Sequence, residues 1–410
     1  MGVWMLEWLK RFWPIVAILC ICVVTVVIGG DSGDIVEYRA MDGWGTGKFL
    51  SSVLAGAPPS LDAVSTNNGI FVAWIEEDGS RVMVTSSADG GSTWSGPMAV
   101  EIPEEVIPSG LNYVDLFEDS SGTVWMAWSA RSRARFRNGG VPSQIWVCTS
   151  KPGVGDTDWS TPRQVTRTED WYMEGGELRV QYDCYRPVFA EWEGAVWVHW
   201  ISNKKYQEGW IWRAGTTDEG DSWSDPVLLE GSPYYQSFYQ ASDASVWISG
   251  TATVPQSVWI CVSRDFGYEW SDTEFLGLGA FPKISQAEDL IWVTWQSNRF
   301  SPTAKHKAAG GVDGQPYVWE TQTEDVWFSY RLLSSGEWLE EAKLLEADSH
   351  ENSGIVLETH NEMILLVYVT SEGLSDQYGD PPSQWRIKTT NNPLPIEPIS
   401  TNKYIERKVQ

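Results

Sequence analysis

Helical periodicity, histidine, cysteine and positive charge are all scarce in this chain of 410 residues, and each shortage excludes a class of protein. No long stretch repeats apolar residues every three or four positions, so an α-helical fold is not expected. Four histidines without a nearby ligand partner at metal spacing predict no metal site, and no other cofactor is predicted. The 29 basic residues face 55 acidic ones, and the net charge of −26 disfavours nucleic acid as a partner.

The five cysteines predict no disulfide framework. Cys148 and Cys261 occupy matching places in the stretches IWVCTS and VWICVS, and Cys184 stands alone. Equivalent positions in different repeats lie far apart, so we expect no bond between Cys148 and Cys261.

Only one long apolar run is present, and it begins directly after Lys10 and Arg11. Residues 12–30 are 19 residues without a charge, close to the ~20 that cross a bilayer and longer than the roughly 7 to 15 of a signal-peptide core. We therefore expect residues 1–30 to be a signal anchor with one transmembrane helix, or else a removed signal peptide. The preceding positive charge predicts a cell-membrane protein, single-pass with residues 31–410 outside, or a secreted one if the segment is cleaved.

Aromatic residues are abundant, with 26 Trp, 15 Tyr and 12 Phe, and they recur in a pattern. Apolar quartets that end in an aromatic appear as FVAW (71–74), WMAW (125–128), WVHW (197–200) and WVTW (292–295), with weaker copies VWIS (246–249) and LLVY (365–368). This spacing fits one four-stranded unit per copy. Six units are predicted, at about 52–103, 108–168, 180–231, 233–278, 279–347 and 350–397.

A second repeat, Ser/Thr-x-Asp-x-Gly-x-x-Trp, follows the later strand of a unit in three good copies. The short Asp side chain can accept hydrogen bonds from its own turn, and Gly permits a positive φ. Since a single catalytic centre has no use for separated copies, these residues are predicted to be structural. They are Ser87, Asp89, Gly91 and Trp94; Thr216, Asp218, Gly220 and Trp223; and Ser263, Asp265, Gly267 and Trp270.

These repeats resemble those of the Asp-box, or bacterial neuraminidase repeat (BNR), family of β-propellers over about residues 50 to 400. The resemblance implies an all-β, six-bladed sialidase-like propeller of four-stranded blades over residues 51–400. Residues 31–50 would then be a linker and a possible ring-closing strand, and 401–410 a C-terminal tail. Closing the ring would remove exposed strand edges.

The repeated turns mark one face of such a propeller, so a binding site is expected among the variable loops opposite. Candidate ligand-binding residues there are Arg131, Arg186, Arg299, Trp200, His350 and Glu351, because guanidinium groups grip carboxylates and flat rings suit sugars. Two alternatives stay open. The arginines of 131–137 would then pair with local carboxylates, and the quartet aromatics would pack between blades.

Sialidases of this family, as the resemblance implies, use three Arg, a Tyr nucleophile with a Glu, and an Asp acid/base. Tyr185, Glu191, Asp115 and Tyr378 are the available catalytic candidates. The expected Arg-Ile-Pro signature is missing, since Arg39 lies in EYRAMDG without Ile-Pro. The first hypothesis is therefore an external propeller that binds a glycan or protein ligand without hydrolysis. The alternatives are a divergent exo-sialidase or other glycoside hydrolase, and a purely structural surface-layer role.

Overall fold

The computed structural model describes most residues from 48 to 393. The gaps are 52–53, 56–59, 77–78, 134–141, 151–157, 167–171, 175–176, 180–182, 204–209, 230–235, 254–255, 288, 298–302, 309–316, 323–324, 334–337, 339–341, 346–351, 361–362 and 371–383. All regular secondary structure in the described part is β-strand.

Six antiparallel sheets follow one another along the chain, five with four strands and a last one with five, in which two short strands pair with the same neighbour. After β1 (Lys48–Phe49) and β2 (Leu54–Ala55), blade 1 is β3 (Leu61–Thr66), β4 (Gly69–Ile75), β5 (Val82–Ser87) and β6 (Met98–Ala99). Blade 2 is β7 (Val106–Glu118), β8 (Val124–Ser132), β9 (Ser143–Ser150) and β10 (Arg163–Gln164), and a hairpin of β11 (Tyr172–Glu174) and β12 (Glu177–Arg179) follows it. Blade 3 is β13 (Asp183–Trp192), β14 (Ala195–Asn203), β15 (Trp210–Thr216) and β16 (Val227–Leu229).

The second half of the chain continues the same order. Blade 4 is β17 (Ser237–Gln240), β18 (Val246–Thr253), β19 (Gln256–Ser263) and β20 (Glu274–Leu278). Blade 5 is β21 (Ala280–Ala287), β22 (Leu290–Ser297), β25 (Asp325–Leu332) and β26 (Ala342–Leu345), with a hairpin of β23 (Thr303–Ala308) and β24 (Tyr317–Gln322) inserted after β22. Blade 6 is β27 (Asn352–His360), β28 (Met363–Thr370), β29 (Gln384–Pro393) and, as its outermost strand, β1.

The blades form a closed ring. The first strand of each blade contacts the first strands of both neighbours, and β27 of blade 6 contacts β3 of blade 1. The predicted six-bladed propeller of four-stranded blades is thus confirmed. Blades 1, 3, 4 and 5 fall within the predicted units, whereas blade 2 begins two residues early at Val106 and blade 6 takes its outermost strand, Lys48–Phe49, from before the first unit.

The hydrophobic core lies between neighbouring blades, where strand alternation sends one side chain in two toward each neighbour. The quartet aromatics Trp74, Trp128, Trp200 and Trp295 are each at most 2 % exposed. Buried aromatics of this size contribute much of the apolar area that holds such stacked units together. The quartet aromatics therefore pack one blade against the next.

The ring is closed by strand pairing between its two ends. Lys48 and Phe49 pair with Thr389 and Lys388 of β29, and Leu50 N–H donates to the Ile387 carbonyl at 2.8 Å. The Lys48 ammonium also donates to the Ser92 carbonyl of blade 1. Residues from before blade 1 thereby complete blade 6.

None of the described residues forms a helix of the length and apolar character that crossing a bilayer requires. The apolar run 12–30 lies outside the described residues, so the signal anchor or signal peptide stays a prediction. Cys148, Cys184 and Cys261 are buried, and Cys148 and Cys261 are free thiols. Burial raises the pKa of the Cys261 thiol to about 12, which makes it unreactive as a nucleophile.

Candidate functional site

The two faces of the propeller follow from strand direction. In blade 3, β13 ends at the Glu193–Gly194 turn, and β15, which runs parallel to β13, ends at the turn after Thr216. All such turns share one face, which we name the turn face. The innermost strands begin at the opposite face, the loop face, where the connections after the second strands and between blades lie.

The first repeated turn is held by hydrogen bonds within the turn. The Gly91 N–H donates to Ser87 Oγ at 2.8 Å, and Asp89 accepts from the Thr93 N–H at 2.7 Å and the Thr93 hydroxyl at 2.6 Å. The indole of Trp94 donates to the Gly91 carbonyl at 3.0 Å. The hydrogen bonds from Thr93 lower the pKa of Asp89 to about 2, so the carboxylate stays ionised as a turn acceptor.

The second and third copies reproduce the hydrogen bonds to the Ser/Thr hydroxyl and to the Asp carboxylate. The N–H groups of Gly220 and Gly267 donate to Thr216 Oγ1 at 3.1 Å and to Ser263 Oγ at 2.7 Å. Asp218 and Asp265 each accept a backbone N–H at 2.9 Å, from Ser222 and Glu269 respectively. Hydrogen bonds lower the pKa values of both carboxyls, that of Asp218 to about 2.

Each of these turns also touches the preceding blade. Gly91, Gly220 and Gly267 have φ of +88°, +83° and +91°, where other residues are strained, and a Cβ there would meet Leu365, Trp125 or Leu229 at 3.1 to 3.2 Å. Trp94, Trp223 and Trp270 are half-buried against the same inter-blade cores. The turns therefore bind blade to blade, a role that needs no catalysis.

A ring of polar contacts joins the innermost strands. In blades 1 and 2 the side chain that pairs opposite the third residue of the quartet accepts a backbone N–H from the next blade, and in blade 4 Ser237, opposite the fourth quartet residue, does the same. Asp62 accepts from Leu116 at 2.8 Å, Asp115 from Phe189 at 3.1 Å, and Ser237 from Ile284 at 2.9 Å. One set of positions thus lines the central channel and links successive blades.

Blade 5 departs from this rule at the same position. Lys283 Nζ lies 2.7 Å from Asp62 Oδ1 of blade 1, which is not a ring neighbour of blade 5, so this ion pair crosses the ring. Burial and, after it, the Asp62 carboxylate raise the pKa of Asp115 well above its usual range, against smaller opposing effects of Lys283 and the Phe189 N–H. Asp115, a predicted acid/base candidate, is therefore a buried carboxyl in the channel, and this environment favours its protonated form.

Two residues nearer the loop face, the innermost strands of several blades bulge, and in blades 2, 3 and 5 the bulge holds a residue with a positive φ. Tyr113, Arg186 and Phe281 have φ of +50°, +54° and +54°, at positions where the pairing register shifts. Such left-handed backbone costs non-glycine residues of order 1–3 kcal/mol each and clusters at functional sites. Tyr113 is 37 % exposed and Phe281 58 % exposed, which is unusual for large aromatic side chains. These three residues define what we name the loop-face mouth.

Arg186 holds two blades together at this mouth. Its guanidinium donates to the Gln236 carbonyl of blade 4 at 3.0 Å and lies 4.9 Å from the ring centroid of Tyr113 in blade 2. Tyr185 adds a second ring 6.2 Å from that of Tyr113. A half-buried guanidinium beside two phenol rings is a surface that can hold a carboxylate against flat apolar groups.

Several residues that the sequence analysis assigned to one site lie in different places in the structure. Trp200 is 2 % exposed in the core of blades 2 and 3, so it is not a ligand platform, and the inter-blade alternative is correct. Tyr185 and Glu191 lie six residues apart on β13, about 20 Å along a strand, and so form no nucleophile pair. Glu191 lies at the turn face and accepts from Ser120 N–H at 2.7 Å.

Other predicted residues are placed less completely. Arg131 is exposed at the loop-face end of β8. Its neighbour Arg133 donates to the Val106 carbonyl at 3.0 Å. Arg299, His350, Glu351 and Tyr378 lie outside the described residues and stay predictions.

Tyr113, Phe281, Asp62 and Lys283 line the channel or its mouth but are not among the residues predicted from the sequence. Their signal is positional, because Asp62 and Lys283 each precede the third quartet residue of their blade, Ala73 or Thr294, by 11 residues. Among the described residues no group of three or more His, Cys, Asp or Glu could hold a metal ion. Burial lowers the pKa of His199 to about 3 and keeps this core histidine neutral.

Comparison with known proteins adds a fold relationship. No protein-family model and no curated protein matches the chain. A Dyadobacter fermentans protein of unknown function has a similar structure, with a TM-score of 0.54, 14 % identity, and coverage of 86 % of this chain and all of that one. Trypanosoma rangeli sialidase has a TM-score of 0.53 at 8 % identity, and the similarity covers 88 % of this chain and 56 % of the sialidase chain. The leech intramolecular trans-sialidase gives 0.52 at 10 % identity, covering 84 % and 70 % of the two chains. The fold is thus a six-bladed propeller like that of sialidases.

Proposed function

We propose that the protein is an extracytoplasmic, membrane-anchored propeller of the sialidase superfamily, with Asp-box repeats, that binds a glycan or protein ligand through its loop face. The observation that carries this proposal is the loop-face mouth, where Tyr113, Arg186 and Phe281 share left-handed backbone. Strain retained at matching positions of three blades points to a selected surface.

The chemistry of the mouth favours a carboxylated ligand. Arg186 supplies a fixed positive charge beside the Tyr113 ring, in a chain whose net charge is −26. Carbohydrate rings stack on exposed aromatic faces, and Tyr113 and Phe281 offer such faces at the same end of the channel. Binding without hydrolysis is supported by the separation of Tyr185 from Glu191 along β13.

The binding proposal is tested with Arg186→Ala on a panel of carboxylated and neutral glycans. Arg163→Ala is the matched control, because Arg163 is an exposed turn-face arginine that contacts the Gly220 carbonyl. We expect the parent to bind a carboxylated glycan, Arg186→Ala to lose at least about tenfold in affinity, and the control to be unchanged. Ligand-induced shifts confined to the turn-face tryptophans Trp94, Trp223 and Trp270 would contradict the proposal.

A divergent exo-sialidase or other glycoside hydrolase is the second candidate. The buried carboxyl of Asp115 in the channel favours it, since burial raises the pKa of this group and a general acid must hold its proton near the working pH. Turnover of fluorogenic glycosides by the parent, abolished in Asp115→Asn, is the expected result for a hydrolase. Absence of turnover for several glycosides at several pH values would leave the binder.

The anchor is tested separately, because it rests on residues 12–30 alone. We expect the full chain to stay in the membrane fraction after a carbonate wash and its propeller to be cleaved by protease added outside intact cells. A chain that lacks residues 1–30 should be released. Recovery of the intact full chain in the culture medium would overturn anchoring.

A further inference from the structure

A cavity of about 500 Å³ opens at the other end of the channel, on the turn face. Its walls come from the last residues of the innermost strands and the turns after them. Phe117, Glu191, Tyr239, Gln240, Ser242 and Ala244 carry the argument. A concave surface that combines aromatic side chains with a few fixed polar groups is a reasonable place to look for a small ligand.

Hydrogen bonds fix the polar wall of this cavity. The Gln240 amide accepts from the Glu191 N–H and donates to the Glu191 carbonyl, both at 2.6 Å. The Glu191 carboxylate is held by the Ser120 N–H at 2.7 Å and the Ser120 hydroxyl at 2.5 Å. A carboxylate has about four acceptor positions, so these two bonds orient it and leave capacity for a ligand donor.

The charge of the wall restricts the ligand. Glu191 is the charged residue among those that line the described cavity, and the half-buried rings of Phe117 and Tyr239 stand on the same wall. The neighbouring turns carry Asp119 and also Asp243, which forms an ion pair with Arg264 at 3.5 Å. A carboxylate beside aromatic faces suits an ammonium group, whereas an anion would be repelled.

The backbone of Ala244 points to the same cavity. In the blade 2 turn Asp119 N–H donates to Thr123 and Gly122 N–H to Asp119, and the blade 4 turn repeats this with Ala241, Ser245 and Ala244. Gly122 has φ of +84°, and Ala244 in the matching place has +64°. Alanine is strained there, yet its methyl group forms part of the cavity wall.

We propose that this turn-face cavity binds a primary alkylammonium group, with Glu191 as its counter-ion and Phe117 and Tyr239 as its apolar walls. The ammonium donates to the free acceptor positions of Glu191, and the alkyl chain lies against the two rings. A free diamine and the side chain of a peptide lysine carry the same group.

Calorimetric titration of the parent with cadaverine and with Nα-acetyl-lysine methylamide distinguishes these two sources. Pentane-1,5-diol and glutarate are the neutral and anionic controls of the same length. We expect one or both amines to bind with Kd below about 1 mM and the controls to show no binding. Equal binding of the diol, or no amine binding at about ten times that concentration, would overturn the proposal.

Variants assign the site. Glu191→Gln should weaken amine binding at least about tenfold, since the ion pair is lost. Glu193→Gln, an exposed glutamate of the next turn that does not line the cavity, should leave binding unchanged. Unchanged amine affinity in Glu191→Gln would contradict the assignment.

Two further variants keep the test independent of folding defects. Ser242→Trp places a large side chain at an exposed lining position and should block amine binding while thermal unfolding is unchanged. Ala244→Gly should raise the unfolding temperature and weaken binding, because strain is relieved and the methyl wall is lost. Full binding in both variants would place the amine elsewhere.

Discussion

At the turn face, three blades close with the same Ser/Thr-Asp-Gly hydrogen bonds, and each closing glycine touches the blade before it. At the loop face, the innermost strands of blades 2, 3 and 5 bulge, and the residues there are two different aromatic residues, Tyr113 and Phe281, and one arginine, Arg186. At one end of the channel the same hydrogen bonds thus recur from blade to blade. At the other end the backbone bulge recurs, but the side chain that it presents differs between blades.

For the repeated turns and the loop-face mouth, the difference separates stability from recognition. Contacts that recur from blade to blade stabilise the packing of each blade on the next, and these interface energies add along the ring. Side chains that differ between blades at matching positions can serve only one place in the molecule. The substitutions below are expected to affect stability at the turn face and ligand binding at the loop-face mouth.

Trp125→Ala at the turn-face end of β8 should have the largest effect. Trp125 is 1 % exposed, lies 6.2 Å from the ring of Trp223 in the next blade, and donates to Asp119 at 2.8 Å. Its loss should lower the free energy of unfolding by ~3–5 kcal/mol. Denaturant unfolding measures this, with Tyr113→Ala at the loop-face mouth as the control, expected to cost under about 1 kcal/mol. Equal costs would remove the distinction between the faces.

Asp115→Asn should change how stability depends on pH. The pKa of Asp115 is raised in the folded protein, so the parent should lose stability as pH rises from about 4 through that raised pKa. The free energy of unfolding should fall by about 1.4 kcal/mol for each pKa unit by which the folded value exceeds the unfolded one. The variant should lack this slope, because its amide carries no charge.

Asp218→Asn is the control, because the Asp218 carboxyl should make stability depend on pH in the opposite direction. The pKa of Asp218 is lowered to about 2, so its contribution is present above the ordinary value of about 4 and is lost as pH falls toward 2. Unfolding curves between about pH 3 and 9 measure both. Identical pH profiles for the parent and Asp115→Asn would show that Asp115 titrates normally.

Phe281→Gly and Phe275→Gly should have small effects of opposite sign. Both rings are exposed, at 58 % and 67 %, but Phe281 alone of the two has a left-handed φ. Glycine relieves about 1 kcal/mol of strain at Phe281, whereas at Phe275 it weakens an ordinary strand by about 0.5–1 kcal/mol. Phe281→Gly should also lose glycan binding. A loss of stability in both variants would show that the bulge is not strained.

Local patterns in the sequence predict the blades and the repeated turns, because strand alternation and turn hydrogen bonds involve neighbouring residues. The mouth is not predictable in this way. The bulges at Tyr113 and Phe281 arise from pairing with a strand that follows a turn, and no residue type marks them. The Lys283–Asp62 contact depends on closing a ring of six units. The residue type of Trp200 suggests a ligand surface, whereas its burial is decided by the face of β14 on which it lies.

The pairing of β1 with β29 has a mechanical consequence. Lys48 touches Thr389 in the last blade through its backbone and Ser92 in the first blade through its side chain. A pull on the chain before residue 48 is therefore delivered to the seam of the ring, where the two ends of the propeller meet. If residues 12–30 hold the protein to a bilayer, the load of a bound ligand reaches the membrane through this two-residue strand, and the seam is the part of the ring that tension would open first.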